Sequence, residues 1–207
     1  MVKLLERNVT IDLDGTRVLD GVYLSPPDAD SLGAVVAPPH PLMGGSMDHP
    51  VVNELAYACR NAGSASLRFD WRGVGGSAGV PSGELADGDA DYSAALRFIE
   101  ESVAGSVIAA GYSYGAAMAL RAVARHPRIR RLLLVAPPEQ MLSAEGLENF
   151  AGSILIIAAR HDEFASPAKL EALLANARRG SLHVVPDADH FFQEGLAEIP
   201  KAVERWL

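Results

Sequence analysis

Residues 107–120 read VIAAGYSYGAAMAL, and three patterns follow one another in this stretch. The apolar run at 107–110 is typical of a strand that is buried on both faces. The small residues Ala116, Ala117 and Ala119 favour a helix that packs closely against its neighbours. Between them, Gly111-Tyr112-Ser113-Tyr114-Gly115 forms a G-x-S-x-G pattern. The stretch therefore predicts a buried strand that turns sharply into a helix at Ser113.

The chain on both sides alternates between strand and helix patterns. Two amphipathic strands come first, at 9–13 and 17–24, joined at Asp14-Gly15 by what we expect to be a tight type I′ turn. Later strands are predicted at 34–37, 66–69, 107–110, 132–136, 154–158 and 182–185. Helices are predicted at 51–62, 87–101, 114–125, 167–177 and from 192 to the C-terminus, with Ser166 as the N-cap before Pro167.

This alternation predicts an α/β fold. We expect a doubly wound, mostly parallel sheet of about eight strands, with an antiparallel N-terminal hairpin. At 207 residues, the chain suits a single domain over 1–207. Ligands of such sheets bind beyond the carboxyl ends of the strands, so the residues that follow each strand are the first candidates for a site.

Composition excludes several classes of protein. The formal net charge of −8, from 18 basic and 26 acidic residues, argues against a nucleic-acid partner. Cys59 is the only cysteine, so no intramolecular disulfide is possible. The stretch MVKLLERNVT lacks the features of a secretory leader, and the apolar segment 103–124 is better interpreted as a strand and a helix than as a membrane span. We therefore expect a cytoplasmic protein; its oligomeric state stays open.

A second G-x-S-x-G pattern occurs at Gly75-Gly76-Ser77-Ala78-Gly79. It lies in a glycine-rich segment with Pro81 close behind, and no strand runs from it directly into a helix. A bare match to this pattern is weak, and the strand-turn-helix context distinguishes the two serines. We therefore favour Ser113 as the nucleophile and interpret Ser77 as part of a loop.

A serine hydroxyl needs a base and an acid that orients the base, and the chain order expected for this fold is Ser, then acid, then His. Asp162 follows the strand predicted at 154–158, and His190 follows the strand at 182–185. Glu163 is the main rival acid. The other candidates are Asp187 and Asp189 as acids and His161 as base.

The oxyanion of an acyl-transfer intermediate needs two backbone N–H donors. Tyr114, the residue after the nucleophile, supplies the first, and the second should come from the loop after the third strand. Pro41 has no N–H, so Leu42 is the best candidate, with Met43 behind it.

Four segments taken in order resemble the α/β-hydrolase superfamily, and specifically a small bacterial branch of predicted serine hydrolases without a lid. They are HPLMGG at 40–45, LRFDWRGVGGS at 67–77, GYSYGA at 111–116 and DHFF at 189–192. The chain departs from that pattern at Pro38, where the branch often has histidine, and at Ala159, where it often has glycine. In this superfamily a lid is commonly inserted after the sixth strand, and the 16 residues of 137–152 are too few to form one.

The resemblance and the residues together predict a serine hydrolase that cleaves a small carboxylic ester with water, without cofactor or metal, through an acyl-enzyme on Ser113. The alternatives are a thioesterase, a short-peptide or other acyl hydrolase with the same three residues, and a non-catalytic scaffold that binds a ligand or a protein. Beside Leu42 and Tyr114, the expected walls of the site are His40, Met43, Trp71, Tyr112, Phe164 and Phe191.

Overall fold

A computed structural model describes residues 6–26 and 32–207 of the chain. Within these residues eight strands form one sheet: β1 Glu6–Asp12, β2 Val18–Leu24, β3 Leu32–Ala37, β4 Ala65–Phe69, β5 Ser106–Tyr112, β6 Ile129–Val135, β7 Ser153–Ala159 and β8 Gly180–Val185. Their spatial order is β1-β2-β4-β3-β5-β6-β7-β8. β2 runs antiparallel to both of its neighbours, and the other pairs are parallel. The predicted sheet is confirmed.

Six α-helices lie in the described residues: α1 Pro50–Asn61, α2 Leu85–Ser102, α3 Tyr114–Ala122, α4 Ala144–Asn149, α5 Pro167–Leu174 and α6 Glu198–Trp206. The last helix begins six residues later than predicted, because Phe192 (φ 52°) and Gly195 (φ 79°) have left-handed backbones that interrupt a helix. Ser166 occupies the N-cap position of α5, as predicted, but its side chain makes no capping hydrogen bond.

Helices cover both faces of the sheet, which explains the continuous apolar runs of its strands. Along β3, Ala34 and Val36 pack in one core with α1 and α6, whereas Val35 and Ala37 pack in the other with α2 and α3. Successive residues in the middle of β3 are therefore buried alternately against one helical layer and the other. The carboxyl ends of the parallel strands meet at one edge, where the loops that follow them are free to form a site.

The turn between β1 and β2 differs from the prediction. A type I′ turn needs positive φ at both central residues, and of Asp14 and Gly15 only the glycine has it, at 81°. The Asp12 carboxylate accepts a hydrogen bond from the Gly15 N–H at 2.7 Å, and the Asp14 carboxylate accepts from the N–H groups of Thr16 and Arg17 at 3.1 and 2.9 Å. Aspartate side chains therefore hold a longer turn in which Asp14 avoids the left-handed region.

The stretch 103–124, which has the apolar character of a membrane span, forms β5 and α3 instead. Of the helices in the described residues, none combines the length and the apolar character that crossing a membrane requires. Residues 1–5 of the MVKLLERNVT stretch, on which the prediction of no leader partly rests, lie outside the described residues.

Candidate active site

Ser113 is the single residue between the end of β5 and the start of α3. Its backbone has φ 54° and ψ −119°, a conformation that is strained for a residue other than glycine. The Ser113 N–H donates to the carbonyl of Val135, at the end of the neighbouring strand β6, at 2.9 Å. The predicted sharp turn is therefore present, and it raises the side chain above the carboxyl edge of the sheet.

Two glycines allow this turn to be so tight. A Cβ on Gly111 would lie 2.3 Å from the backbone of Gly115, and a Cβ on Gly115 would lie 2.4 Å from the carbonyl oxygen of Ala37. Both distances are too short for any side chain. Because Gly115 has none, the first turn of α3 packs directly on the end of β3, which brings the backbone of Tyr114 close to the loop that follows that strand.

A chain of hydrogen bonds joins Ser113 to His190 and Asp162. Nε2 of His190 lies 3.0 Å from Oγ of Ser113, and Nδ1 of His190 lies 2.8 Å from a carboxylate oxygen of Asp162. The Asp162 carboxylate is buried behind the imidazole. With a proton on Nδ1 held by the carboxylate, Nε2 is free to accept the hydroxyl proton of Ser113. This arrangement has the chemistry of a nucleophile, a base and an orienting acid.

Backbone contacts fix the positions of the acid and the base. The second carboxylate oxygen of Asp162 accepts hydrogen bonds from the N–H groups of Phe164 and Ala165 at 2.8 and 3.0 Å, which locks its orientation. The hydroxyl of Tyr112 donates to the carbonyl of His190 at 2.8 Å. The rival acid Glu163 is exposed, and the geometry supports Asp162 as the partner of His190.

A cavity of about 290 Å³ opens above Ser113, and its walls are mostly apolar. Six of the predicted wall residues line it, together with residues that the sequence did not suggest. The predicted residues are His40, Met43, Tyr112, Tyr114, Phe164 and Phe191, and the additional ones include Pro39, Gly44, His49, Pro138 and Met141. Leu42, also predicted as a wall residue, is exposed outside the cavity. The walls come from the loops after β3, β5, β6, β7 and β8, as expected for the carboxyl edge of the sheet.

The prediction that Trp71 lines the site is wrong. Its side chain is 1% exposed and packs in the core against the rings of Phe69 and Tyr114. The indole N–H donates to the carbonyls of Pro38 and Pro39 at 3.2 and 2.9 Å. An indole can be buried when its N–H finds an acceptor, and here it supports the loop after β3 from below.

The two expected oxyanion donors differ in their surroundings. Tyr114 is the first residue of α3, so its N–H has no acceptor within the helix. The Leu42 N–H donates to Nδ1 of His40 at 3.2 Å, and the Met43 N–H donates to the carbonyl of His40 at 3.0 Å. Leu42 can therefore act as an oxyanion donor only if its N–H exchanges the long hydrogen bond to the His40 imidazole for one to the substrate. The assignments of Tyr114 and Leu42 as oxyanion donors stay predictions.

Burial sets the charge states of several groups around the cavity. It lowers the pKa of His40, and it raises the pKa of Tyr114 to about 12. For His49, burial and the nearby His190 both lower the pKa. Near pH 7 these groups are neutral. Within residues 6–26 and 32–207, no three side chains of the metal-binding types are grouped closely enough to hold a metal ion.

Ser77, the serine of the other G-x-S-x-G match, lies in a closed environment. It is 7% exposed, and its hydroxyl accepts from the N–H of Asp20 at 2.9 Å and donates to the carbonyl of Asp70 at 2.8 Å. The hydroxyl thus joins β2 to the segment after β4, which agrees with its interpretation as part of a loop.

Comparison with known proteins places these features in context. Residues 42–147 match the family described as serine aminopeptidase, S33 (Hydrolase_4). An uncharacterized protein of Rickettsia prowazekii (strain Madrid E) is 28% identical over 200 residues, which cover 91% of this chain and 84% of the relative.

Solved structures share the fold over almost the whole chain. An α/β serine hydrolase homologue from Coxiella burnetii is 26% identical, with a TM-score of 0.82 and 97% of each chain covered. An α/β serine hydrolase without a lid from Xanthomonas campestris is 29% identical, with a TM-score of 0.81 and coverage of 98% of this chain and 95% of the other. Est1E of Butyrivibrio proteoclasticus, solved with ferulic acid, shares the fold at 17% identity and a TM-score of 0.83, over 96% of this chain and 97% of the other.

Proposed function

Since the chain belongs to the family described as serine aminopeptidase, S33, within the α/β-hydrolase superfamily, we propose that it is a serine hydrolase that cleaves a small carboxylic ester. The observation that carries the proposal is the hydrogen-bonded chain from Ser113 through His190 to Asp162, at 3.0 and 2.8 Å, at the base of an apolar cavity. A scaffold that only binds a ligand would have no need for a buried carboxylate behind that imidazole.

The reaction proceeds in two halves. Oγ of Ser113 attacks the ester carbonyl carbon while Nε2 of His190 takes the hydroxyl proton, and the Asp162 carboxylate stabilises the resulting imidazolium. The tetrahedral intermediate then breaks its bond to the alcohol, which leaves with the proton from His190. Water, activated by the same imidazole, attacks the acyl-enzyme, and the acid product leaves as the Ser113 hydroxyl is restored.

The negative oxygen of each intermediate lies between α3 and the loop after β3. The Tyr114 N–H is the first donor, aided by the positive end of the helix. The Leu42 N–H is the second, and it exchanges its 3.2 Å bond to Nδ1 of His40 for the stronger bond to an oxyanion. The contact of Gly115 with Ala37 keeps the two donors close together.

The cavity walls favour a neutral ester over a peptide with a free amino terminus. Recognition of an ammonium group needs a carboxylate that faces the substrate. Among the described residues that line the cavity there is no aspartate or glutamate, and Asp162 is shielded by His190. An uncharged acyl group suits the apolar wall, because it loses little hydration on binding.

Hydrolysis of 4-nitrophenyl acetate and butyrate tests the proposal. We expect turnover preceded by a rapid burst of about one equivalent of nitrophenol, which marks an acyl-enzyme when deacylation is the slower half. Matched thioesters and amino-terminal amides serve as competitors in the same assay. Turnover of the amide in preference to the esters would contradict the ester assignment, and no turnover of any acyl substrate would leave a non-catalytic scaffold.

A further inference from the structure

His49 lies on the cavity wall without a part in the chemistry described so far. It directly precedes α1, and its ring packs against that of Tyr112 with a centroid distance of 4.9 Å. On Tyr112, in turn, the His190 ring packs at 5.7 Å. His49 is therefore separated from the reacting base by one aromatic ring.

The hydrogen bonding of His49 defines which of its nitrogens carries the proton. Nδ1 accepts a hydrogen bond from the N–H of Val51 at 3.3 Å, so this nitrogen caps the first turn of α1. Burial and the positive charge that His190 acquires both disfavour a second proton on the ring. The ring is therefore neutral with its proton on Nε2, where it is a hydrogen-bond donor.

Nε2 of His49 is free to meet a molecule in the cavity. None of the described residues accepts a hydrogen bond from it. It is also not one of the fully buried polar atoms without a partner, so it keeps access to the space around it. The other polar groups of the wall are less available. The Tyr112 hydroxyl is bonded to the carbonyl of His190, and the Nε2 edge of His40 faces Gly83, where a Cβ would lie only 2.9 Å away.

We propose that His49 is a substrate-binding residue whose Nε2–H donates a hydrogen bond to an ether, hydroxyl or carbonyl oxygen of the substrate chain. The substrate class that follows is an ester with a second oxygen near the scissile bond. A donor on an otherwise apolar wall discriminates well, because a substrate without an acceptor leaves the N–H unpaired and desolvated. This inference rests on the proposed ester hydrolysis at Ser113.

Isosteric ester pairs test the proposal. Each pair replaces one methylene of the acyl or alcohol chain by oxygen, as in 4-nitrophenyl pentanoate and 4-nitrophenyl 3-methoxypropionate, and a panel moves the oxygen along the chain. The measured quantity is the ratio of kcat/KM within each pair. Comparing this ratio between variants cancels the difference in intrinsic reactivity of the two esters.

Two substitutions separate the donor from the helix cap. His49→Asn keeps an oxygen for the Val51 N–H but has no group at the position of Nε2, whereas His49→Gln places an amide N–H close to that position. His183→Asn, on β8 and outside the cavity, is the control for loss of a histidine. All variants are checked for an unchanged melting temperature and for labelling of Ser113 by a fluorophosphonate.

For at least one oxygen position we expect His49→Asn to lower the preference for the oxygen-bearing ester by about 3- to 10-fold. His49→Gln should restore part of it, and His183→Asn should leave it unchanged. An unchanged preference at every position, in a His49→Asn variant that still labels at Ser113, overturns the role of His49 alone. If the protein without any substitution shows neither labelling at Ser113 nor turnover of any ester, the proposed function and this inference are overturned together.

The tautomer gives a second, independent test. Nitrogen NMR of the imidazole near pH 7 should show the proton of His49 on Nε2, and the signal should shift when an oxygen-bearing phosphonate inhibitor occupies Ser113. A proton on Nδ1 would contradict the proposal directly, because Nε2 would then be an acceptor.

Discussion

The two G-x-S-x-G segments, 75–79 and 111–115, share a pattern and differ in almost everything else. Ser113 lies between a buried strand and a helix, with φ at 54°, and its hydroxyl faces the imidazole of His190. Ser77 lies in a loop, and its hydroxyl is already bonded on both sides to the backbone of Asp20 and Asp70. A serine whose donor and acceptor are both committed to the fold cannot attack a substrate.

The difference between the two segments also extends to their glycines. Gly115 is required because the backbone of Ala37 touches it, and that contact joins α3 to β3. Gly79, its counterpart, has φ at 102° but no atom closer than 3.6 Å to an added Cβ. Gly75 and Gly79 of the first segment have left-handed backbones that serve a loop conformation, whereas Gly111 and Gly115 serve close packing at the carboxyl edge of the sheet.

The largest contrast should come from the serines themselves. We expect Ser113→Ala to lower kcat for a short aryl ester by about 10⁴- to 10⁶-fold, because only binding and the oxyanion donors remain. Ser77→Ala should keep most of the activity and lower the free energy of unfolding by about 1–3 kcal/mol, because one buried and one partly buried backbone group lose their partner. Ester kinetics and urea unfolding of both variants provide the measurements. The interpretation of the two segments is reversed if Ser77→Ala is folded but inactive.

The second largest effect on kcat should come from substitution of the acid, Asp162. Asp162→Asn keeps the shape of the side chain but allows the wrong tautomer of His190, and we expect kcat to fall by up to about 10⁴-fold. Glu163→Gln, on the adjacent exposed residue, should change kcat little. Steady-state kinetics of both variants decide this, and full activity of Asp162→Asn would remove Asp162 from the mechanism.

The glycine contrast should be smaller but still clear. In Gly115→Ala the new methyl group collides with the carbonyl of Ala37, so α3 must shift, and we expect a loss of about 1–3 kcal/mol in stability together with lower kcat. Gly79→Ala has room for the methyl group and is destabilised only by its left-handed backbone, by about 1 kcal/mol. Thermal unfolding and ester turnover measure both. Equal effects on kcat would show that the packing of α3 on β3 does not position Ser113.

The smallest effect concerns Asp70, whose carbonyl accepts the Ser77 hydrogen bond. Burial raises the pKa of the Asp70 carboxyl to about 6, although the hydrogen bond from the Met47 N–H lowers it. The carboxylates of Asp48 and Asp20 add to the increase. The folded state therefore favours the protonated form, and stability is lost as the pH rises through about 6. We expect Asp70→Asn to be more stable by about 1–2 kcal/mol at pH 8 and no different at pH 4. Urea unfolding across this range checks it, and a pH-independent difference would contradict the cause given.

Much of this structure could be predicted from the sequence, because burial on both faces of a sheet leaves a continuous apolar run in each strand. The runs at 107–110 and 154–158 placed β5 and β7, and the residues after them placed Ser113 and Asp162 at one edge. Chain order then predicted His190. These inferences depend only on local pattern and on the rule that parallel strands end together.

Other features depend on contacts that no local pattern shows. Trp71 follows a strand, as wall residues do, but its indole turns into the core because the carbonyls of Pro38 and Pro39 accept its N–H. His49 has the pattern of a helix start and does cap α1, yet its ring also reaches the cavity. The position of the His49 ring at the cavity had one signal in the sequence. His49 belongs to the same loop as His40, and the sequence predicts that His40 lies beside Ser113.

The central claim is that Ser113, and not Ser77, is the nucleophile, and covalent labelling tests it most directly. The folded protein is treated with a fluorophosphonate, digested, and analysed by tandem mass spectrometry to locate the adduct. We predict one adduct per chain, on Ser113, and none in the Ser113→Ala variant. An adduct on Ser77, or labelling that persists unchanged in Ser113→Ala, would contradict the account.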